Sequence, residues 1–291
     1  MFALGGLSDS VPAPLRQVFL FSLPVHSSNW LASPGEQRCC SKNAVIYGAG
    51  GAVGGAVARA FAREGANVFL ARRMLESIDT VAKEIAADGG VVEIAQVDAL
   101  DENAVEQHID AVAKKVDRID VVFNAIGFDS RQGTPLLELA LEDFSFPIAT
   151  WTRAQFLTAR SAARRMVTKR SGVILMLSAS PARMAIPLTG GFGVACAAIE
   201  GLSRTLAGEL SPQGVRVVCL RPHRIGDTLP MAPEFPKMER ESFRELLEGL
   251  TLLKRLPTLA EVADTAAFLA SDRAGAITGT VANLTCGSSV D

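Results

Sequence analysis

The residues best placed to do chemistry in this 291-residue chain are the small ones of Gly48-Ala-Gly-Gly-Ala52-Val-Gly54. They follow a short apolar run, Ala44-Val-Ile-Tyr47, and lead into helical spacing from Val53 to Glu64 with Gly65 as a stop. Gly48, Gly50, Gly51, Ala52, Val53 and Gly54 would let the backbone approach a diphosphate, and the new helix would turn unpaired N–H groups toward it. Close strand–helix packing asks for the same small residues, so the position of the turn in a longer pattern must decide. At the end of the next apolar run, Ala71-Arg72-Arg73 stands where a carboxylate would grip a ribose 2′ hydroxyl. A guanidinium such as Arg72 suits a 2′ phosphate instead, which favours NADP(H) over NAD(H). Two solvated arginines opening the next helix are the alternative.

The elements that must position these residues alternate along the chain. Strands are expected at 44–47, 67–71, 91–97, 119–123, 173–177, 215–220 and 281–284. Helices are expected at 53–64, about 74–87, roughly 102–116, a long stretch ending at Lys169, and from Phe192 to near Leu210. Near-continuous Val, Ile and Leu in the strands argues for a sheet buried on both faces. The expected fold is therefore α/β: a doubly wound Rossmann fold with a seven-stranded parallel sheet and helices on both faces. Residues 42–291 show no internal repeat or linker and read as a single domain.

Residues 1–41 differ, with Pro12, Pro14, Pro24 and Pro34, several serines and one short apolar run, Val18 to Val25. Asp9, and Arg16 alone ahead of the run, make a poor secretory signal. The segment reads as a disordered or loosely docked extension, or as an upstream start. A formal charge of -2 without a basic stripe argues against nucleic acid, and no apolar run is long enough for a membrane span. Five cysteines, Cys39, Cys40, Cys196, Cys219 and Cys286, lack metal-ligand spacing and suit reduced thiols in a cytoplasmic setting. No metal site is expected.

Further landmarks follow in order. Val97-Asp98-Ala99 closes the third strand, Val122-Phe-Asn124-Ala-Ile-Gly127 the fourth, and Gln213-Gly-Val-Arg-Val-Val-Cys-Leu-Arg-Pro222 runs through the sixth. Glu261-Val-Ala-Asp-Thr-Ala-Ala-Phe-Leu-Ala-Ser-Asp272 and Ile277-Thr-Gly279 come last. With the glycine turn, which is similar to Gly-x-x-x-Gly-x-Gly with Ala52 at the middle glycine, this set resembles the short-chain dehydrogenase/reductase family over about 250 residues. The resemblance implies an NAD(P)-dependent oxidoreductase, with Asp98 and Ala99 near the adenine and Asn124 and Pro222 at the cofactor. It also implies dimers or tetramers through the two long helices, with a like or unlike subunit.

The family's catalytic tetrad is where the resemblance breaks. Its Tyr, the general acid/base, falls on Phe192; its Lys on Cys196; its Ser on Ala179; its Asn on Trp151. None of these side chains can perform the family's role. Ser178 and Ser180 flank Ala179, so a slip of one residue would restore a hydroxyl, and the loop ahead of Trp151 leaves that position freedom. Phe192 and Cys196, one turn apart, are expected to share an apolar wall of the pocket. Ser180, Arg183, Cys196 and His223 could substitute, although a core thiol, a loop imidazole and a surface guanidinium are the plainer readings. The segment from Pro230 to Leu253, which closes over substrate in the family, carries no recognisable pattern. The expectation is an NADP(H)-binding protein without standard carbonyl reductase or alcohol dehydrogenase activity, a sensor or silent subunit. An NADP(H)-dependent oxidoreductase of a carbonyl or hydroxyl substrate with a different proton donor is the alternative.

Overall fold

Alternation along the first strand sets the layers. In β1 (Asn43–Tyr47), Ala44 and Ile46 point to one face and Val45 and Tyr47 to the other, and all four are buried. The computed structural model describes residues 42–229 and 240–290. The N-terminal extension read from the sequence, with Cys39 and Cys40, lies outside the described residues, as does 230–239 of the segment before Leu253.

Seven parallel strands run in the order β3-β2-β1-β4-β5-β6-β7. They are β1, β2 (Asn67–Arg72), β3 (Val92–Gln96), β4 (Val121–Asn124), β5 (Gly172–Leu177), β6 (Val215–Pro222) and β7 (Thr280–Leu284). One face of the sheet is covered by α1 (Ala52–Arg63), α2 (Glu76–Ala87) and α7 (Leu259–Ala270), which contribute Phe61, Ile78 and Val262 to one core cluster. The opposite face is covered by α3 (Glu102–Lys115), α4 (Leu141–Lys169) and α5 (Phe192–Leu210), which contribute Ile109, Met166 and Ile199 to the second. The doubly wound α/β fold expected from the sequence is present, since alternate strand residues feed the two cores. Two helices, α6 (Arg240–Gly249) and α7, were not among those expected from the sequence.

Boundaries shift where a neighbour decides them. β6 continues two residues beyond the expected end because Arg221 and Pro222 pair with Asn283 and Leu284 of β7, a partner absent from the local pattern. The helix expected from Met74 starts two residues later, after the turn that carries Arg73 and Met74. β3 lies at the sheet edge, where Glu93 pairs with Lys115 and the strand's exposed face is partly charged.

Sheet order reverses at β1, flanked by β2 on one side and β4 on the other. The chain leaving β1 turns to α1 on one face and the chain leaving β4 to α4 on the other, which opens a crevice beyond the paired strand ends, the usual ligand position in such sheets.

Candidate functional site

Two adjoining cavities open at the C-terminal edge of the sheet, the larger of them in that crevice. The larger, about 520 Å³, collects residues from the C-terminal ends of five strands: Tyr47, Arg72, Ala125 just after β4, Leu177 and Pro222. The smaller, about 320 Å³, lies between the turn after β5, the turn after β6 and α6. Ala179, Phe192 and Thr228 line both, so the cavities meet at these residues.

The glycine turn forms the floor of the larger cavity. Gly48 has φ +80°, and a Cβ there would sit 2.7 Å from the Ala125 carbonyl carbon, so only glycine allows β1 and β4 to close around the turn. A Cβ on Gly54 would strike the Gly48 carbonyl, and one on Gly50 would strike the Arg72 guanidinium. Gly50 and Gly54 thus shape the turn from behind, whereas Gly48, Gly51, Ala52 and Val53 line the cavity. Ala52 is exposed at the first position of α1.

The N-terminus of α1 has no side-chain cap and no acidic residue in its first turn. Its N–H groups and positive dipole end are left for an anion. Arg72 and Arg73 line the same cavity, and neither is paired with a carboxylate among the described residues. Asp98 and Ala99 also line it; Asp98 is exposed, and its Oδ1 accepts a hydrogen bond from the Leu100 N–H at 2.9 Å. A diphosphate at α1 and a phosphate-bearing ribose toward Arg72 therefore fit the residues present.

Asn124 behaves differently from the cofactor contact expected of it. It is buried, donates to Thr158 Oγ1 at 2.8 Å and accepts from the Ile126 N–H at 3.0 Å. With its amide committed to α4 and to the following turn, Asn124 fixes Ala125 to Gly127 at the cavity wall and is not itself a lining residue.

Phe192 and Trp151 meet across the helix pair. Their ring centroids lie 4.8 Å apart at 87°, an edge-to-face contact. Gly191 makes this possible, since a Cβ there would collide with the Phe144 carbonyl and hold α5 away from α4. Trp151, Ala179 and Phe192 all line the larger cavity, and the Trp151 Nε1 is buried without a hydrogen-bond partner among the described residues.

Cys196 corrects the expectation of a shared wall. It is fully buried at 0% exposure and lines neither cavity, because one turn beyond Phe192 the helix already packs against β6. Burial pushes its thiol up to about 12, so it stays protonated and inert. Ser178 and Ser180, which flank Ala179, line the larger and the smaller cavity respectively. Ser178 donates to Glu200 Oε1 at 3.0 Å, and Ser180 shares a 2.8 Å hydrogen bond with His223 Nδ1. Glu200 in turn pairs with Arg221 at 3.3 Å, both buried. Arg183 is exposed and lines neither cavity.

Tyr47, the one tyrosine, is buried with its hydroxyl 3.1 Å from His108 Nδ1. Desolvation, helped by the Glu106 carboxylate, drives its phenol far above the ordinary range. It is therefore no proton donor to a ligand in the cavity. The clustering of His223 with Ser180, 43 residues apart, had no signal in the spacing. Among the described residues no group of side chains could hold a metal ion, and no helix is long and apolar enough to cross a membrane.

Comparison with known proteins agrees with this architecture. A family model described as enoyl-(acyl carrier protein) reductase matches residues 48–289. The uncharacterized oxidoreductase YxbG of Bacillus subtilis is 31% identical over 244 residues, covering 83% of this chain and 89% of its own. A short-chain type dehydrogenase/reductase from Mycobacterium marinum superposes with a TM-score of 0.77 at 26% identity, covering 88% of this chain and 98% of that one. A candidate NAD(P)-dependent gluconate 5-dehydrogenase from Beutenbergia cavernae, solved with NADP at low occupancy, gives a TM-score of 0.78 at 28% identity over 87% and 99% of the two chains. With a matching family model across most of its length, the same strand order and the glycine turn in the family's place, the chain belongs to the short-chain dehydrogenase/reductase family.

Proposed function

We propose that this protein binds NADP(H) and does not carry out carbonyl reduction or alcohol oxidation with the proton donor used by its relatives. One observation carries the reading: the reacting end of the cavity is built from the edge-to-face pair Trp151–Phe192 and from Ala179, while Cys196 is sealed in the core. When bound, the nicotinamide supplies or accepts a hydride. None of those four side chains can give a proton to an oxygen beside it. Losing a positioned acid or base costs about a hundred- to ten-thousand-fold in rate.

At the other end, the uncapped α1 terminus and the unpaired Arg72 and Arg73 support binding of a phosphorylated dinucleotide. The bound NADP of the Beutenbergia structure is consistent with this preference. Exposed Phe146 and Phe156 on α4 and Val194 on α5 support association through these helices with a like or unlike subunit. Free Cys196, Cys219 and Cys286 suit a reducing, cytoplasmic setting.

A second reading, an oxidoreductase with a different proton donor, is favoured by His223 on the smaller cavity. Fluorescence titration and turnover assays separate the two. NADPH is expected to bind more tightly than NADH, with negligible turnover of generic ketones and aldehydes. Tight binding with robust turnover supports the second reading, and binding of neither nucleotide overturns both.

A further inference from the structure

The two sides of the larger cavity differ in kind. On one side of the glycine turn it is lined by Arg72 and Arg73 at the end of β2 and by Asp98 beyond β3, all charged. On the other side it is lined by Leu177 at the end of β5, Pro222 at the end of β6, and Trp151, Ala179 and Phe192. None of these carries a charge. Two hydroxyls complete that side, and both are engaged: Ser178 donates to Glu200 at 3.0 Å, and Thr228 to the Ile225 carbonyl at 3.1 Å. In the turn after β6, the N–H groups of His223, Gly226 and Thr228 bond to the carbonyls of Leu284, Pro257 and Ile225. β2 and β5 are three strand steps apart, so at about 4.8 Å per step the two sides lie about 14 Å from each other. A ligand that reaches both must be extended, with one half on each side.

We propose that the cavity reads only the adenosine 2′,5′-bisphosphate half of its nucleotide, and binds oxidised, reduced and nicotinamide-free forms alike. The inference rests on the NADP(H) reading above and deepens it: the site reports the pool of 2′-phosphorylated nucleotide and not its redox state. A site tells two ligands apart only through contacts that differ between them. Oxidised and reduced nicotinamide differ by one positive charge on the ring, and the wall of Trp151, Ala179 and Phe192 is neutral. Behind Ser178, the Glu200 carboxylate is paired with Arg221 at 3.3 Å. Arg72 and Arg73, about 14 Å away, lie beyond the screening length, which is about 8 Å at physiological salt. The nicotinamide half also leaves water for hydrogen-bonding groups that are already engaged. Its polar atoms lose on desolvation what its ring gains by burial. The phosphates instead meet guanidinium groups, and charge-assisted hydrogen bonds are the strong ones.

Calorimetric titration of the full chain with adenosine 2′,5′-bisphosphate, NADP+ and NADPH tests this. The three dissociation constants should agree within about fivefold, and the bisphosphate should displace NADPH competitively. Nicotinamide mononucleotide should show no saturable binding at millimolar concentration. A gap of more than about fivefold between NADP+ and NADPH, or between either and the bisphosphate, would overturn the inference and leave the nucleotide reading standing. Saturable binding of nicotinamide mononucleotide, or bisphosphate and NADPH held together, would overturn it in the same way. If none of the three nucleotides binds, the nucleotide reading falls and the inference falls with it.

Discussion

At the scale of single residues, the site divides by whether its backbone or its side chains act. The glycine turn acts through backbone geometry, and Gly48 with φ +80° can be understood from its own position. Arg72 acts through charge. It lies against Gly50 with no carboxylate partner among the described residues, so its charge is available to a ligand. Arg72→Ala is expected to weaken NADPH binding roughly tenfold or more, the scale of a lost charge-assisted hydrogen bond. NADH affinity should hardly change, and an equal loss for both nucleotides in fluorescence titrations would remove the 2′-phosphate argument. His108 and His223 are both lowered to about 4 by burial, and the Nδ1 of each meets a hydroxyl, that of Tyr47 for His108 and that of Ser180 for His223.

At the scale of elements, caps and approaches decide where side chains arrive. The helix α7 begins with a full capping box: Thr258 accepts from the Glu261 N–H, and Glu261 accepts from the Thr258 N–H at 2.9 Å. Arg255 adds a two-pronged ion pair at 2.6 and 2.9 Å, which together with the Thr258 bond holds Glu261 down to about 2. A depressed carboxylate contributes stability that is present above its unfolded pKa, about 4.5, and is lost as pH falls toward 2. Wild type should exceed Glu261→Gln by no more than about 1 kcal/mol at pH 7, since the pair is half exposed. The gap should close between pH 4.5 and 2 in thermal unfolding; a gap that persists in acid would contradict the assignment. By contrast α1 is left uncapped, which fits an element whose start faces a ligand. Both patterns are local, because capping residues lie within four positions of what they cap.

At the scale of the whole molecule, the buried pair Glu200–Arg221 ties α5 to β6 behind the site, with Ser178 as a third member. Breaking one side should cost about 3–5 kcal/mol by leaving a lone buried charge. Arg221→Met should therefore lower the midpoint of urea unfolding sharply, and adding Glu200→Leu should restore much of it. A single variant as stable as wild type would mean the pair is solvated. The sequence by itself determined the alternation of strands and helices, the parallel sheet and the glycine turn. Each follows from periodicity or backbone geometry within a few residues. It also located Trp151, Ala179, Phe192 and Cys196, but not what they do in space. Only the tertiary structure decided that Trp151 and Phe192 meet edge to face, that Cys196 turns into the core, and that Asn124 braces a wall. It alone joined Ser180 to His223 across 43 residues. Such contacts depend on how closely α4 and α5 approach and on which strands pair, quantities set by the packing of distant segments that no local pattern records.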